Sequence, residues 1–346
     1  MDERLKKDLQ NALHPLAGSE DTGNFDDFSF LPEVLKDVRI VGLGEGSHGT
    51  RQHFQFKHRL LRYLVENMGF RTFVIEAAMD ACDVINDYVL YGRGDRATAL
   101  AGQHFWTWDT EEVAAMIDWM REHNTTCDPG QEVSFLGFDV QSCDVARDYL
   151  TKHLLPLAEG NAKYLNTSYA ESEVKKLRDI IENCEQYHES GTRDELPDAT
   201  FLLGWVTGYD HYIKESTSAE EYKKIFRYAR YLFQHIDCAI KGGGNWPRDL
   251  WMYENVVYLM EELPADAKVV LWAHNGHMSA QFDWVTMGQR LKEKYGSQYY
   301  PLGFTLHEGT FQSRFWNRDP KPGEVVMGKL QAFDVPAIGE TFTNMT

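Results

Sequence analysis

The sequence has few of the features that mark zinc, redox or membrane proteins. Its 346 residues contain five cysteines, which are widely spaced and form no C-x-x-C pair: Cys82, Cys127, Cys143, Cys184 and Cys238. We therefore interpret them as reduced thiols, mostly in the core. No stretch approaches the ~18 apolar residues of a membrane span, and the N-terminus lacks the apolar segment of a signal peptide. We expect a soluble, cytoplasmic protein without a membrane partner.

Basic residues are scarce relative to acidic ones. Lys and Arg number 35 against 53 Asp and Glu, which gives a formal net charge of −18 at pH 7. Proteins that follow a phosphate backbone need a basic stripe, and its absence argues against a nucleic-acid partner. Hydrophobic residues make up 43% and aromatic residues 13% of the chain, which is typical of a folded protein. The length suits one large domain with an insertion, or two domains.

Five short apolar runs predict the buried strands of an α/β fold. They lie at residues 38–43, 72–77, 133–138, 268–273 and 300–306. Helical periodicity fills the long segment between the third and fourth runs, at 173–188, 220–236 and 248–263, with breaks at 191–198 and 241–247. We predict a three-layer α/β/α core with a mostly parallel sheet, formed by residues 1–142 and 264–346, and a helical cap over 143–263. The C-terminal forty residues support no prediction.

Polar side chains lie at the end of each predicted strand. They are, strand by strand, Glu45 with His48, Glu76, Asp139, His274 with His277, and His307 with Glu308. Ligands of open parallel sheets bind at the carboxyl ends of the strands, so we expect one acidic cleft there. A carboxylate such as Glu76, next to a strand buried on both faces, needs a partner. Pairing with a core arginine or capping of the next helix is the structural alternative to catalysis.

A lysine and a pair of histidines are further candidates for the cleft. The apolar stripe of the helix after the first strand, extended towards its N-terminus, passes through Lys57. This side chain points towards the carboxylates, or else it extends along the helix surface. His274 and His277 lack the i, i+4 spacing of the helical zinc-peptidase motif, so the pair leaves a metal open without indicating one.

The glycine-rich turn GEGSHG, residues 44–49, does not match a nucleotide or serine-nucleophile motif. It lacks the G-K-[ST] of a phosphate loop and places Glu45 where a pyrophosphate would lie. Glu45 also replaces the first glycine of the G-x-S-x-G elbow, which makes Ser47 a weak nucleophile candidate. These residues favour water activated by a histidine whose pKa neighbouring carboxylates set. Lys57, Arg248 or the second histidine pair would stabilise the oxyanion.

Four motifs resemble the erythromycin esterase family: GEGSHGT at 44–50, FVIEA at 73–77, PRDLWMYEN at 247–255 and WAHNGHM at 272–278. The resemblance runs from about residue 38 to 306. It implies hydrolysis of the macrolactone ester of erythromycin-type antibiotics without a covalent intermediate, and antibiotic resistance as a candidate role. It also implies that His48 is the base for water, that Glu45 and Glu76 are essential, and that His274 is a second important histidine. A well-known member carries arginine at the position of Lys57.

These arguments lead to one set of assignments. We assign His48, Glu45, Glu76, His274 and Lys57 to catalysis, and His277, Arg248, Asp139 and Trp106 to binding a small ester or lactone, with no cofactor and no metal. The family resemblance also implies that the PRDLWMYEN motif brings Asp249 and Glu254 to or near the cleft. Aromatic residues of the helical segment form a substrate-selecting wall or part of the core: Trp205, Tyr209, Tyr212, Phe226, Tyr228 and Phe233. A protein that binds a metal or small ligand without turnover, a metallohydrolase and a nucleotide-binding enzyme remain alternatives.

Overall fold

A computed structural model describes residues 13–20, 22–103, 105–186, 196–242, 245–316 and 327–336, together with residues 4, 7 and 11. The strands are β1 (Ile40–Leu43), β2 (Thr72–Ala78), β3 (Ser134–Asp139), β4 (Val269–Trp272), β5 (Tyr299–Leu302), β6 (Gly309–Trp316) and β7 (Met327–Val335). The helices are α1 (Leu31–Val34), α2 (Arg51–Met68), α3 (Met79–Tyr91), α4 (Arg96–Ala101), α5 (Glu111–Thr126), α6 (Asp144–His153), α7 (Leu155–Leu165), α8 (Ser168–Glu182), α9 (Leu196–Gly208), α10 (Asp210–Ser216), α11 (Ala219–Ile240), α12 (Asn245–Glu262), α13 (Asn275–Met278) and α14 (Met287–Tyr295). Short 3-10 turns lie at Asp26–Phe28, Cys184–Gln186 and Gly296–Gln298.

The first five strands form one parallel sheet with the order β3-β2-β4-β1-β5. All five coincide with the apolar runs of the sequence, and their carboxyl ends lie at a common edge. The fifth strand ends at Leu302 rather than at residue 306. Beyond it the backbone turns towards α13, where the Asn275 side chain bonds both the N–H and the C=O of Phe304, at 3.2 and 2.7 Å.

Both faces of the sheet are buried. Alternate residues of a strand point to opposite faces, so Phe73 and Ile75 pack into the cluster of α2, α3 and α5, while Val74 packs into the cluster of α6 to α12. The same alternation holds on β4, where Val270 and Leu271 belong to opposite clusters. The fold is therefore a three-layer α/β/α arrangement, as predicted.

The helical segment between β3 and β4 shares a continuous apolar cluster with one face of the sheet. The aromatic residues proposed as a substrate-selecting wall belong to this packing. Trp205 and Tyr228 are buried in it, and the others are partly buried against it: Tyr209, Tyr212, Phe226 and Phe233. They are core residues, because helical spacing turns them inward towards neighbouring helices. The division into a core and a cap over 143–263 stays a prediction, and parts of the predicted breaks, residues 191–195 and 243–244, lie outside the described residues.

The segment for which the sequence supported no prediction contains a β-hairpin. Strands β6 and β7 pair antiparallel, with Gln312 opposite Ala332. The outer edge of β6 docks on the turn that follows β1, since the Gln312 amide donates to the Gly49 carbonyl at 3.0 Å. Residues 317–326 and 337–346 lie outside the described residues. The hairpin thus brings strand β6 back to the carboxyl edge of the sheet.

Two expectations from composition can be compared with the structure. Four of the five cysteines are buried, and Cys127 is half-buried. No helix in the described ranges is both long and apolar enough to cross a bilayer. A cytoplasmic location stays a prediction.

Docking of the hairpin depends on the absence of a side chain at Gly49. A Cβ there would lie 1.7 Å from the carbonyl oxygen of Gln312, far inside van der Waals contact. We predict that Gly49→Ala separates β6 from the turn, so the Gln312 amide exchanges with solvent faster in hydrogen exchange measured by mass spectrometry. Gly204→Ala makes the same chemical change in helix α9 with no atom within 4 Å of the added Cβ, and serves as control. Unchanged protection of β6 in Gly49→Ala would contradict the docking.

Candidate active site

The turn after β1 places Glu45 inside the protein and His48 at its surface. The Gly44 amide donates to the Leu302 carbonyl at 2.8 Å, and the Asn275 amide donates to the Glu45 carbonyl at the same distance. A Cβ at Gly44 would lie 2.1 Å from the Asn275 side-chain oxygen, so only glycine allows this approach. Ser47, the weak nucleophile candidate, accepts a hydrogen bond from the Gly49 amide and stabilises the turn.

The carboxylate of Glu45 is fully buried and accepts three hydrogen bonds. Its Oε1 is 2.5 Å from His48 Nδ1, and its Oε2 accepts from Lys57 Nζ at 2.6 Å and from the Trp272 indole at 2.8 Å. The side chain of Lys57 is fully buried, with Nζ 4.3 Å from the centre of the Trp272 ring. Of the two alternatives for Lys57, the structure shows the inward one. Trp272 had no assigned role in the sequence analysis, although it opens the WAHNGHM motif.

Burial and the charge of the partner shift the pKa of each residue of this pair in opposite directions. Burial is the largest influence on Lys57 and lowers its pKa to about 8, although Glu45 opposes the shift. Burial raises the pKa of Glu45, but the charge of Lys57 and the hydrogen bond to His48 outweigh it, so that pKa is lowered. Glu45 is consequently a carboxylate at neutral pH.

His48 presents one ring nitrogen to the carboxylate and the other side of its ring to the cleft. Burial lowers its pKa, but the hydrogen bond to Glu45 and the charges of Glu76 and Glu45 outweigh burial and raise the pKa above 6.5. One third of the side chain is exposed, 33%. With Nδ1–H donated to Glu45, Nε2 of the neutral ring is an acceptor. This is the arrangement that a general base requires.

His274 differs from His48 in both pKa and tautomer. It is the N-cap of α13, and its Nδ1 accepts from the Gly276 amide at 3.1 Å, which places the ring proton on Nε2. Burial first, and then the charge of His48, lower the pKa of His274. The two rings lie 5.2 Å apart. His274 is therefore a neutral N–H donor beside a histidine that acts as an acceptor.

Arg248 on α12 connects the carboxylates at the ends of β2 and β3. Its Nε and Nη2 donate to the two oxygens of Asp139 at 3.0 and 2.8 Å, and Nη2 also donates to Glu76 Oε1 at 2.5 Å. Its Nη1 lies 3.0 Å from His277 Nε2. Asp249, next to Arg248 in the chain, holds His277 Nδ1 at 3.0 Å. The partner that Glu76 requires is thus Arg248, and this arginine pairing is the one that the sequence analysis named as the structural alternative to catalysis.

The same network keeps Glu76 ionised. Burial raises its pKa, but the charges of His277, Arg248 and His48 hold the pKa well below its usual range, helped by the His274 amide, which donates to Oε2 at 2.8 Å. Burial lowers the pKa of His277, but the charge of Glu76 and the bond to Asp249 outweigh it and raise the pKa. Glu76 therefore presents a negative charge next to His48.

His48 lies between two cavities at the carboxyl edge of the sheet, one of about 500 Å³ and one of about 480 Å³. Five predicted site residues line the first: His48, Glu76, Trp106, Asp139 and Arg248. His48 and Trp106 also line the second. Lys57, Glu45 and His277 are buried behind this surface. Contact of His277 with substrate stays a prediction, since it lies behind Arg248.

Some predicted positions lie away from the two described cavities, and other residues were missed. His274, Asp249, Glu254, His307 and Glu308 line neither cavity. The last two are exposed because β5 ends early and the chain leaves the sheet edge. The hairpin residues Ser313, Arg314 and Met327 do line the first cavity, as does Trp108, whose indole donates to the Glu76 carbonyl at 2.9 Å. No motif or periodicity in the sequence pointed to them.

The chain is similar to several known proteins. An Escherichia coli protein, erythromycin esterase type II, is 27% identical over 87% of this chain and 76% of its own. A crystal structure described as a succinoglycan biosynthesis protein superposes with a TM-score of 0.75 at 22% identity, over 98% of this chain and 81% of its own. An erythromycin esterase mutant in its open conformation gives a TM-score of 0.65 at 21% identity, over 91% and 80%. At these identities the two structures bear on the fold alone.

A family model described as erythromycin esterase matches residues 65–334. The match covers more than half of the chain, and it includes Glu76, Arg248 and His274, all of which lie at the site described above. The chain belongs to the erythromycin esterase family.

Proposed function

We propose that the protein hydrolyses a carboxylic ester or lactone with water activated by His48, without a covalent intermediate. The observation that carries the proposal is the pairing of His48 Nδ1 with the buried carboxylate of Glu45, while the ring lines a cavity. Family membership supports a hydrolase. The name of the Escherichia coli relative makes a macrolide macrolactone the candidate substrate, with antibiotic resistance as the corresponding role.

In the proposed reaction, Nε2 of neutral His48 accepts a proton from water as the water oxygen attacks the ester carbonyl. The imidazolium that forms is stabilised by the adjacent charge of Glu45. The carbonyl oxygen becomes negative in the tetrahedral intermediate. When the bond to the leaving alkoxide breaks, His48 returns its proton to that oxygen, which yields an acid and an alcohol.

We assign stabilisation of the oxyanion to His274, whose ring lies beside that of His48. Its Nε2–H is a neutral donor on a ring 5.2 Å from that of His48. Lys57 is buried behind Glu45, and the charge of Arg248 is engaged by two carboxylates. A neutral donor strengthens its hydrogen bond as negative charge develops, without binding the ground state strongly.

A divalent-metal site, the alternative to water activated by His48, has less support from the structure. Among the described residues, no group of three or more His, Cys, Asp or Glu side chains is arranged to hold a metal ion. The oxygens of Glu45 and Glu76 already accept hydrogen bonds from N–H groups. We therefore assign these carboxylates to orienting histidines. Metal analysis of the purified protein, with activity before and after chelation, tests this assignment.

The proposal is tested by mass spectrometry of a panel of macrolides and simple esters after incubation with the protein. We expect a gain of one water in at least one of them. His48→Ala should reduce the rate by about 10²–10⁴-fold, because it removes the general base. His211→Ala, which removes an exposed histidine of α10 paired with Glu215, should leave the rate unchanged. Turnover by His48→Ala at the wild-type rate would refute the assignment of His48 as the general base. If no compound of the panel gains a water, that result would count against ester hydrolysis.

The pH profile of kcat/KM should be a narrow bell. His48 must be neutral to accept a proton, and its pKa is raised, so activity falls as the pH drops through a value above 6.5. On the alkaline side, Lys57 loses its proton near pH 8. The buried carboxylate of Glu45, which orients His48, is then left without its cation, so activity falls again. Lys57→Arg keeps the cation and should move only the alkaline limb to higher pH. An alkaline limb unchanged by Lys57→Arg would refute the link to Lys57.

The donor role of His274 has its own kinetic signature. His274→Ala should lower kcat about 10²–10³-fold with a smaller change in KM, because the lost hydrogen bond strengthens in the transition state. His274→Gln retains an N–H donor at a similar distance from the backbone and should recover part of kcat. Equal losses in the alanine and glutamine variants, or a loss confined to KM, would indicate a role other than oxyanion stabilisation.

A further inference from the structure

The β6–β7 hairpin contributes side chains to both cavities beside His48. Ser313, Arg314 and Met327 line the first, and Gln312 and Leu330 line the second. No residue of this hairpin has a part in the proposed hydrolysis. The hairpin is therefore placed to contact the remainder of a substrate whose ester lies at His48.

Arg314 has a defined position on this hairpin. The Gln312 amide fixes β6 to the Gly49 carbonyl, one residue from His48. Residues two apart on a strand share a face, so Arg314 follows Gln312 by one step of about 6–7 Å along the same face. This register brings its side chain into the lining of the first cavity.

The guanidinium of Arg314 has no carboxylate partner among the described residues. Its one hydrogen-bonding contact there joins Nη1 to Met327 Sδ at 4.0 Å. Other arginines around the cleft are paired, for example Arg51 with Glu112 at 2.9 Å and Arg248 with Glu76 and Asp139. Acidic residues outnumber basic ones by 53 to 35, so carboxylates are abundant in this chain. Among the described arginines beside the site, Arg314 is the exception, because its guanidinium has no carboxylate partner there.

The rest of the first cavity does not compete for these donors. Glu76 and Asp139 already bind Arg248, and the other lining residues are neutral ones, among them the aromatic Phe105 and Trp106. An anion on the substrate would thus find Arg314 as its partner among the side chains that line the cavity. Arginine binds carboxylates through two parallel N–H···O bonds.

We propose that Arg314 is a specificity residue that binds an anionic group on the substrate, so that the site prefers esters carrying a carboxylate to neutral esters of similar size. The reaction part of this inference rests on the proposed function, whereas the binding part does not. Arg314 is exposed at the cavity mouth, so the expected preference is small, about two- to fivefold in kcat/KM.

The test compares 4-nitrophenyl adipate, which has a free carboxylate, with 4-nitrophenyl hexanoate, in which a methyl group replaces it. We expect the wild type to prefer the adipate, Arg314→Gln to lose the preference through a raised KM for the adipate alone, and Arg314→Lys to keep part of it. Lys329→Gln is the matched control. It removes one positive charge from β7 at a position that lines neither cavity. An equal adipate-to-hexanoate ratio in wild type and Arg314→Gln, or an equal loss in Lys329→Gln, would overturn the inference.

A second measurement separates this inference from the proposed hydrolysis. Adipic acid monobutylamide and N-butylhexanamide carry the same difference in charge without an ester bond, and calorimetry measures their binding directly. Tighter binding of the carboxylate by wild type but not by Arg314→Gln supports the inference even where neither ester is hydrolysed, a result that would defeat the proposed function alone. Equal binding of the two amides by wild type would overturn the inference whatever the esters show.

Discussion

The rest of the site depends on the buried ion pair between Lys57 and Glu45. Burying a carboxylate away from water costs free energy. Here three hydrogen-bond donors offset that cost, one each from the β1 turn, helix α2 and strand β4. Removing one partner of such a buried pair typically costs about 3–5 kcal/mol, because the other charge is left uncompensated. The pair also determines the state of His48, since Glu45 raises its pKa and Lys57 limits the rise. The same ion pair therefore contributes both to the stability of the fold and to the protonation state of His48.

A second network, centred on Arg248, has a different consequence. It joins helix α12 to the ends of β2 and β3 through Glu76 and Asp139, so a residue of the helical segment completes the site. Because Glu76 stays ionised in this network, its charge reaches His48, while its Oε2 fixes the backbone of His274. The two histidines are shifted in opposite directions, one raised and one lowered. Opposite shifts in neighbouring groups are what a separate base and hydrogen-bond donor require.

The hairpin adds a wall to a site that is otherwise built from the sheet edge. The backbone hydrogen bond from Gln312 to Gly49 joins parts of the chain that are far apart in the sequence. A contact of this kind leaves no local periodicity, which is why the C-terminal forty residues supported no prediction. In the proposed scheme, the sheet edge supplies the chemistry and the hairpin supplies selection among substrates.

The sequence by itself determined the α/β class, the five parallel strands and the set of polar residues at their ends, because apolar runs must be buried and parallel strands bring their carboxyl ends to one edge. It also carried the motifs of the family. Helical periodicity left two directions open for the Lys57 side chain, and its packing against the Trp272 ring decided between them. The tertiary structure alone decided the tautomer of His274, which the Gly276 amide fixes, and the placement of Arg314 beside His48. Protonation states and long-range contacts depend on neighbours in space, and those neighbours exist only once the chain has folded.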